Sequence, residues 1–177
     1  MFEDYLEDAN HFAVRASEES AEREMKRNYR VAIFCTMSAV EAFINYVGDT
    51  LIQGNTIKPH EIAFLNDKKF DVPGGTFQVL DQIEYHRMED KLRFLICKFV
   101  KDFDFEHTPC WSRLLELKKL RDKITHPRQD EDEISIEEYK RKMEAGLTSA
   151  IEIMNYLCKG IFKRPLRKKL LDLSLMY

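Results

Sequence analysis

Val31-Ala32-Ile33-Phe34-Cys35-Thr36-Met37-Ser38-Ala39-Val40-Glu41-Ala42-Phe43-Ile44-Asn45-Tyr46-Val47 is the longest apolar run of the chain, and Glu41 is its only formally charged side chain. Its apolar residues cover nearly the whole helical wheel, which marks a helix enclosed by others rather than one lying on a surface. The run is short for a membrane span and carries Glu41 and Asn45 inside it, so the expectation is a buried central helix over residues 29–52 with no membrane association. Gly54 and Asn55 end it.

Working outward, residues 3–27 predict a weakly amphipathic helix on the outside of the fold, with Leu6, Ala9, Ala13 and Ala16 along its apolar line. Residues 55–75 read as an irregular connection with a short helix begun at Pro59 and closed by Pro73-Gly74-Gly75. Phe77, Leu80, Ile83, Met88, Leu92, Leu95, Ile96 and Phe99 follow at helical spacing and predict a third helix over 76–101. Thr108-Pro109 opens a fourth, with threonine as cap and proline at the first helical position, ending at His126-Pro127. Ser135-Ile136-Glu137-Glu138 reads as a capping box for a fifth helix reaching about residue 162, followed by a basic and then apolar tail over 164–177. These segments fit a period of 3.6 rather than 2, so the predicted fold class is all-α, five principal helices in a single domain over 1–177, with no sheet.

Composition narrows the function classes. With 44% apolar and 33% charged residues the chain is an ordinary helix-rich globular protein, and six glycines and five prolines leave few turns for an all-β fold. The net charge of −3 gives no global attraction to nucleic acid, so any RNA contact must come from a local patch. Lys118, Lys119, Lys123 and Arg128 near the end of the fourth helix form one candidate; Lys163, Arg164, Arg167, Lys168 and Lys169 form another, or a solvated face. Cys35, Cys97, Cys110 and Cys158 are widely spaced and lack ligand partners, which predicts packed, reduced thiols, no metal and a cytoplasmic setting. The N-terminus lacks a basic region followed by an apolar core, so no signal peptide is expected.

Chemistry concentrates at Arg121-Asp122-Lys123-Ile124-Thr125-His126. At about 100° per residue, Arg121 falls near the apolar arc of Leu117, Leu120 and Ile124 and so points toward protein or an interface. Asp122 and His126 are four residues apart, where the carboxylate can hydrogen-bond the imidazole. The lone acid of the central helix, Glu41, needs a partner if buried, and Arg121 is the expected one, with Asn45 on the same face. Two readings stay open: a structural ion pair with His126 closing the helix end, or a site built for phosphate. His11, His60, His86 and His107 read as isolated surface residues, and Tyr5, Tyr29, Tyr46 and Tyr85 show no stacking-platform spacing.

Taken together, Leu114-Leu115-Glu116-Leu117-Lys118-Lys119-Leu120-Arg121-Asp122-Lys123-Ile124-Thr125-His126-Pro127-Arg128, the segment Ser38 to Asn45 and Glu89-Asp90-Lys91-Leu92 resemble the HEPN superfamily over roughly residues 28–160. The family motif is an arginine, four to six residues, then a histidine, usually with a polar residue directly after the arginine; Arg121, Asp122 and His126 match it. The resemblance implies an up-and-down helical bundle, a homodimer joining both motifs, and cofactor-free cleavage of single-stranded RNA leaving a 2′,3′-cyclic phosphate. It also implies toxin or defence roles, sometimes beside a small nucleotidyltransferase antitoxin. His126 would serve as acid or base, Arg121 would hold the phosphate, Asp122 would orient His126, and Lys118, Lys123 and Arg128 would guide the strand. The alternative is a non-catalytic dimeric module that binds a partner protein or nucleotide.

Overall fold

The computed structural model describes residues 1–127 and 133–175. Helix α1 (Phe2–Glu18) turns at residues 19–21 into α2 (Glu22–Gln53), the longest element of the chain. The short α3 (Pro59–Leu65), strands β1 (Lys68–Asp71) and β2 (Gln78–Ile83), and helix α4 (Met88–Phe99) follow. Helices α5 (Pro109–Thr125), α6 (Ile136–Phe162) and α7 (Lys168–Leu171) complete the order. The fold is mostly helical, and α1, α2, α4, α5 and α6 are its five long helices.

One contiguous core joins these helices. Tyr29, Ile33, Met37, Val40, Phe43, Ile44 and Val47 of α2 meet Met143, Leu147, Ile151 and Met154 of α6, with Leu114, Leu117 and Leu120 of α5 buried beside them. An alanine seam lets α1 approach closely: Leu6, Ala9, Ala13 and Ala16 are all buried against the core. One face of α1 is thus buried while Asp4, Glu7, Asp8, His11 and Arg15 stay exposed, so the helix lies on the outside as expected, but it ends at Glu18 and residues 22–27 belong to α2. Against α5, Gly146 of α6 leaves room for Leu117, whose Cβ would lie 2.7 Å from a Cβ added at that position. Gly160 does the same for the backbone carbonyl of Phe99, so α4 ends hard against α6.

The predicted helix over 76–101 is corrected: only Met88–Phe99 is helical, and Gln78–Ile83 pairs antiparallel with Lys68–Asp71. The sheet also corrects the all-α expectation. Pro73-Gly74-Gly75 forms the turn, with φ of +60° at Gly74 and +83° at Gly75, conformations open to glycine and costly to other residues. Phe77, Leu80 and Ile83 match helical spacing, yet Phe77 and Ile83 are exposed, so no core contact enforces a helix there. Local interactions decide instead: Lys68 Nζ bonds Asp81 at 2.7 Å across the strands, and Phe77 stacks on His60 with ring centres 4.3 Å apart.

Capping follows the sequence in part. Ser135 Oγ accepts the Glu138 N–H at 3.1 Å, whereas the Glu138 carboxylate bonds Lys142 rather than completing the box. Thr108 precedes Pro109 at the start of α5 without a side-chain cap bond. The basic tail turns back on the molecule: Arg167 Nη1 lies 3.1 Å from Glu3 and Lys169 Nζ 2.9 Å from Glu7, tying the region of α7 to α1. These exposed pairs are screened by water and add little stability, but they engage part of the tail's charge within the protein.

Candidate functional site

The end of α5 carries the predicted constellation, and the core set by Leu114, Leu117 and Leu120 determines which way it faces. Arg121, one position beyond Leu120, is 26% exposed, with its Nη2 4.0 Å from Glu41 Oε1 of α2. Its Nε is buried and has no hydrogen-bond partner; Asp122 Oδ1 lies 3.2 Å away but outside the N–H direction. Glu41 meets Arg121 as expected but is 54% exposed, which corrects the idea of a carboxylate enclosed by the central helix. The apolar run of α2 covers the core on its other faces and leaves Glu41, Asn45 and Tyr46 outward.

Asp122 does not orient the histidine. Its Oδ2 accepts from Lys118 Nζ at 3.0 Å, and Lys118 also lies 3.5 Å from Glu89 Oε1 on α4. The other oxygen of Glu89 is buried without a hydrogen-bond partner. His126 closes the helix through its backbone, the N–H bonding Asp122 O at 2.9 Å, and then leaves helical geometry at φ −126°, ψ 64° as its position before proline favours. Its ring is exposed, and no side-chain hydrogen bond or ion pair to it occurs among the described residues. Lys123 is half-buried on the same turn, while Arg128 lies outside the described residues.

The charges at this end nearly cancel. Among the described residues Arg121 and Lys118, with Lys123 on the same turn, stand beside Glu41, Asp122 and Glu89, a formal balance of three cations and three carboxylates. A phosphate binding here must therefore displace a carboxylate from Arg121. Glu41 is the one to go, since its contact is long and solvent-screened.

Beside Glu41 opens a cavity of about 260 Å³ lined by Glu41, Ile44, Asn45, Asp67, Tyr85, His86, Met88 and Lys91. Asp67 knots its wall together. In the left-handed conformation that aspartate tolerates, it accepts the Glu84 N–H on its carbonyl at 2.9 Å. Its carboxylate takes the His86 N–H at 2.8 Å and Lys91 Nζ at 2.6 Å. Burial alone would raise the Asp67 carboxyl, but the His86 N–H and Lys91 outweigh it and hold it below the ordinary 3.8. His86, expected on the surface, is packed against Phe64 with its Nε2 buried and unpaired. The left-handed signal was present in Asn66-Asp67, but residues as far apart as Asp67, His86 and Lys91 share no linear motif.

Elsewhere the cysteines are free, yet Cys97 is exposed rather than packed. Burial pushes the thiols of Cys110 and Cys158 up to about 11, so they stay protonated at neutral pH and poor as nucleophiles. Among the described residues no three His, Cys, Asp or Glu side chains gather as metal ligands. One window of α2 is long and apolar enough to cross a membrane, and more than half of it is buried in the core.

Comparison with protein-family models, with curated proteins and with solved structures finds no match to this chain.

Proposed function

We propose that the end of α5 is the centre of a HEPN-type endoribonuclease that cleaves single-stranded RNA without a cofactor, in a two-fold dimer of up-and-down helical bundles. The observation that carries this reading is a largely sequestered Arg121 guanidinium on the last turn of α5 and, five residues on at the helix end, an exposed His126 ring with no side-chain partner among the described residues. Arginine is permanently charged and matches phosphate oxygens in pairs, while histidine exchanges protons near neutral pH. In the reaction the ribose 2′-oxygen attacks its own phosphorus as one histidine takes the 2′-hydroxyl proton. The bond to the 5′-oxygen breaks, and that oxygen takes a proton from the second protomer's histidine, leaving a 2′,3′-cyclic phosphate and a 5′-hydroxyl. Arg121, released from Glu41, stabilises the charge on the phosphoryl oxygens.

Asp122 bonds Lys118 rather than His126, so its part is to hold Lys118 and flank Arg121. The imidazole must then be oriented by the partner subunit or by RNA. Lys118, Lys123 and Arg128 guide the strand, Glu41 and Asn45 border its path, and a cytoplasmic toxin or defence role beside a nucleotidyltransferase antitoxin belongs to the same proposal. That missing Asp122–His126 bond is also the observation that favours the second reading, a non-catalytic helical module for a partner protein or nucleotide.

A gel of labelled RNA incubated in EDTA separates the two. Wild-type protein should cleave RNA to cyclic-phosphate ends and spare DNA, which lacks the attacking hydroxyl. His126→Ala and Arg121→Ala should each lower the rate by at least about a hundredfold. Cleavage that survives His126→Ala, or that needs added divalent metal, would defeat the mechanism. Intact RNA under all conditions would leave the binding module.

A further inference from the structure

We propose that the cavity beside Glu41 is a base-recognition subsite that takes one amino-bearing nucleobase, adenine, cytosine or guanine, of the strand cut at Arg121 and His126. The inference rests on the nuclease reading for the identity of the strand; the pocket chemistry is argued separately. Glu41 connects the two places, because it lines the cavity and its carboxylate approaches Arg121 at 4.0 Å. A base seated in the cavity is thus one side chain from the phosphate-binding guanidinium.

Size and lining select the ligand. At about 260 Å³ the cavity lies below the range of roughly 300–1,000 Å³ usual for drug-sized ligands, and suits a single heterocycle. Ile44 and Met88 supply apolar wall, and Tyr85, 85% exposed at the rim, offers a free ring face for stacking.

Charge argues against a phosphate in the same space. Lys91, whose side chain is only 9% exposed, is consumed by Asp67, so the Glu41 carboxylate, held only by its 4.0 Å contact with Arg121 and free of it once a phosphate takes Arg121, is the charge the pocket presents. A neutral group that donates hydrogen bonds fits it. An exocyclic amine can donate to Glu41 or to the Asn45 carbonyl, and a ring nitrogen can meet the Asn45 amide. His86 also lines the cavity, but its Nε2 is buried, so the residue contributes wall rather than a contact to the base. Uracil carries no exocyclic amine, and its one edge donor, N3–H, is flanked by two carbonyl oxygens that would be held against the Glu41 carboxylate.

The test uses the full chain and a short single-stranded RNA, 2′-O-methylated throughout to block cleavage, carrying one 2-aminopurine. Binding should quench the fluorophore. Tyr85→Ala and Asn45→Ala, both at exposed positions that leave the core intact, should each weaken binding roughly tenfold. Unlabelled strands with adenine, cytosine or guanine should compete better than all-uracil strands, and Asn45→Ala should erase that difference. Unquenched fluorophore, equal affinity in the variants, or equal competition by uracil would overturn the proposal. Cleavage of ordinary RNA, followed in parallel, keeps the two ideas apart. RNA cut through His126 with a base preference indifferent to Tyr85 and Asn45 sinks the subsite alone; the expected binding pattern without any cleavage sinks the nuclease alone.

Discussion

At the residue scale, exposure decides what each charge can contribute. Glu41 and Arg121 meet, but at 4.0 Å with Glu41 half in water, so the pair is a weak tether rather than a buried bridge. Glu41→Ala should therefore lower stability by less than about 1 kcal/mol in urea melts, where an enclosed pair would lose about 3 to 5. Asp67 is the opposite case, since its partner Lys91 is nearly out of solvent. Its folded carboxyl titrates below 3.8, so the stabilisation it contributes is full above that value and is lost as pH falls through the lower folded value. Asp67→Asn should cost about 2 kcal/mol at neutral pH, and the gap to wild type should close in acid. A gap unchanged between pH values on either side of that range would show that the charge is not what Asp67 contributes.

At the element scale, close approach of helices rests on small residues. An added methyl at Gly146 would meet Leu117 Cβ at 2.7 Å and Cγ at 2.8 Å, so α5 and α6 must separate or Leu117 must leave its place. Gly146→Ala should destabilise by about 1 to 3 kcal/mol despite alanine's better helix propensity. A more stable variant would mean that α5 shifts freely, and with it Arg121. The β-hairpin is the element that periodicity misread. Phe77, Leu80 and Ile83 repeat at three, as a helix face would, but a repeat predicts structure only where something packs on it. Here the glycine turn and cross-strand contacts outweighed it. Helices α4, α5 and α6 were legible because Leu92, Leu95 and Ile96, Leu117 and Leu120, and Leu147, Ile151 and Met154 do meet the core.

At the scale of the whole molecule, nothing among the described residues orients the His126 ring, and the proposed nuclease would take that orientation from a second copy. A two-fold contact would bring a second Arg121–His126 set to the first and supply acid and base together. Sedimentation at micromolar concentration should accordingly find a dimer, and a monomer there would remove the two-histidine mechanism. The helical class was set by the chain itself, through hydrophobic periodicity, which also placed Arg121 beside the apolar arc of its helix; Glu41 meets it as expected, though not from the enclosed position that motivated the expectation. Tertiary structure alone decided that Glu41 is half exposed, that Asp122 turns to Lys118, and that Asp67, His86 and Lys91 wall one cavity. Local spacing determines which face of a helix a residue shares, whereas a side chain's partner and its exposure depend on which other segments arrive beside it.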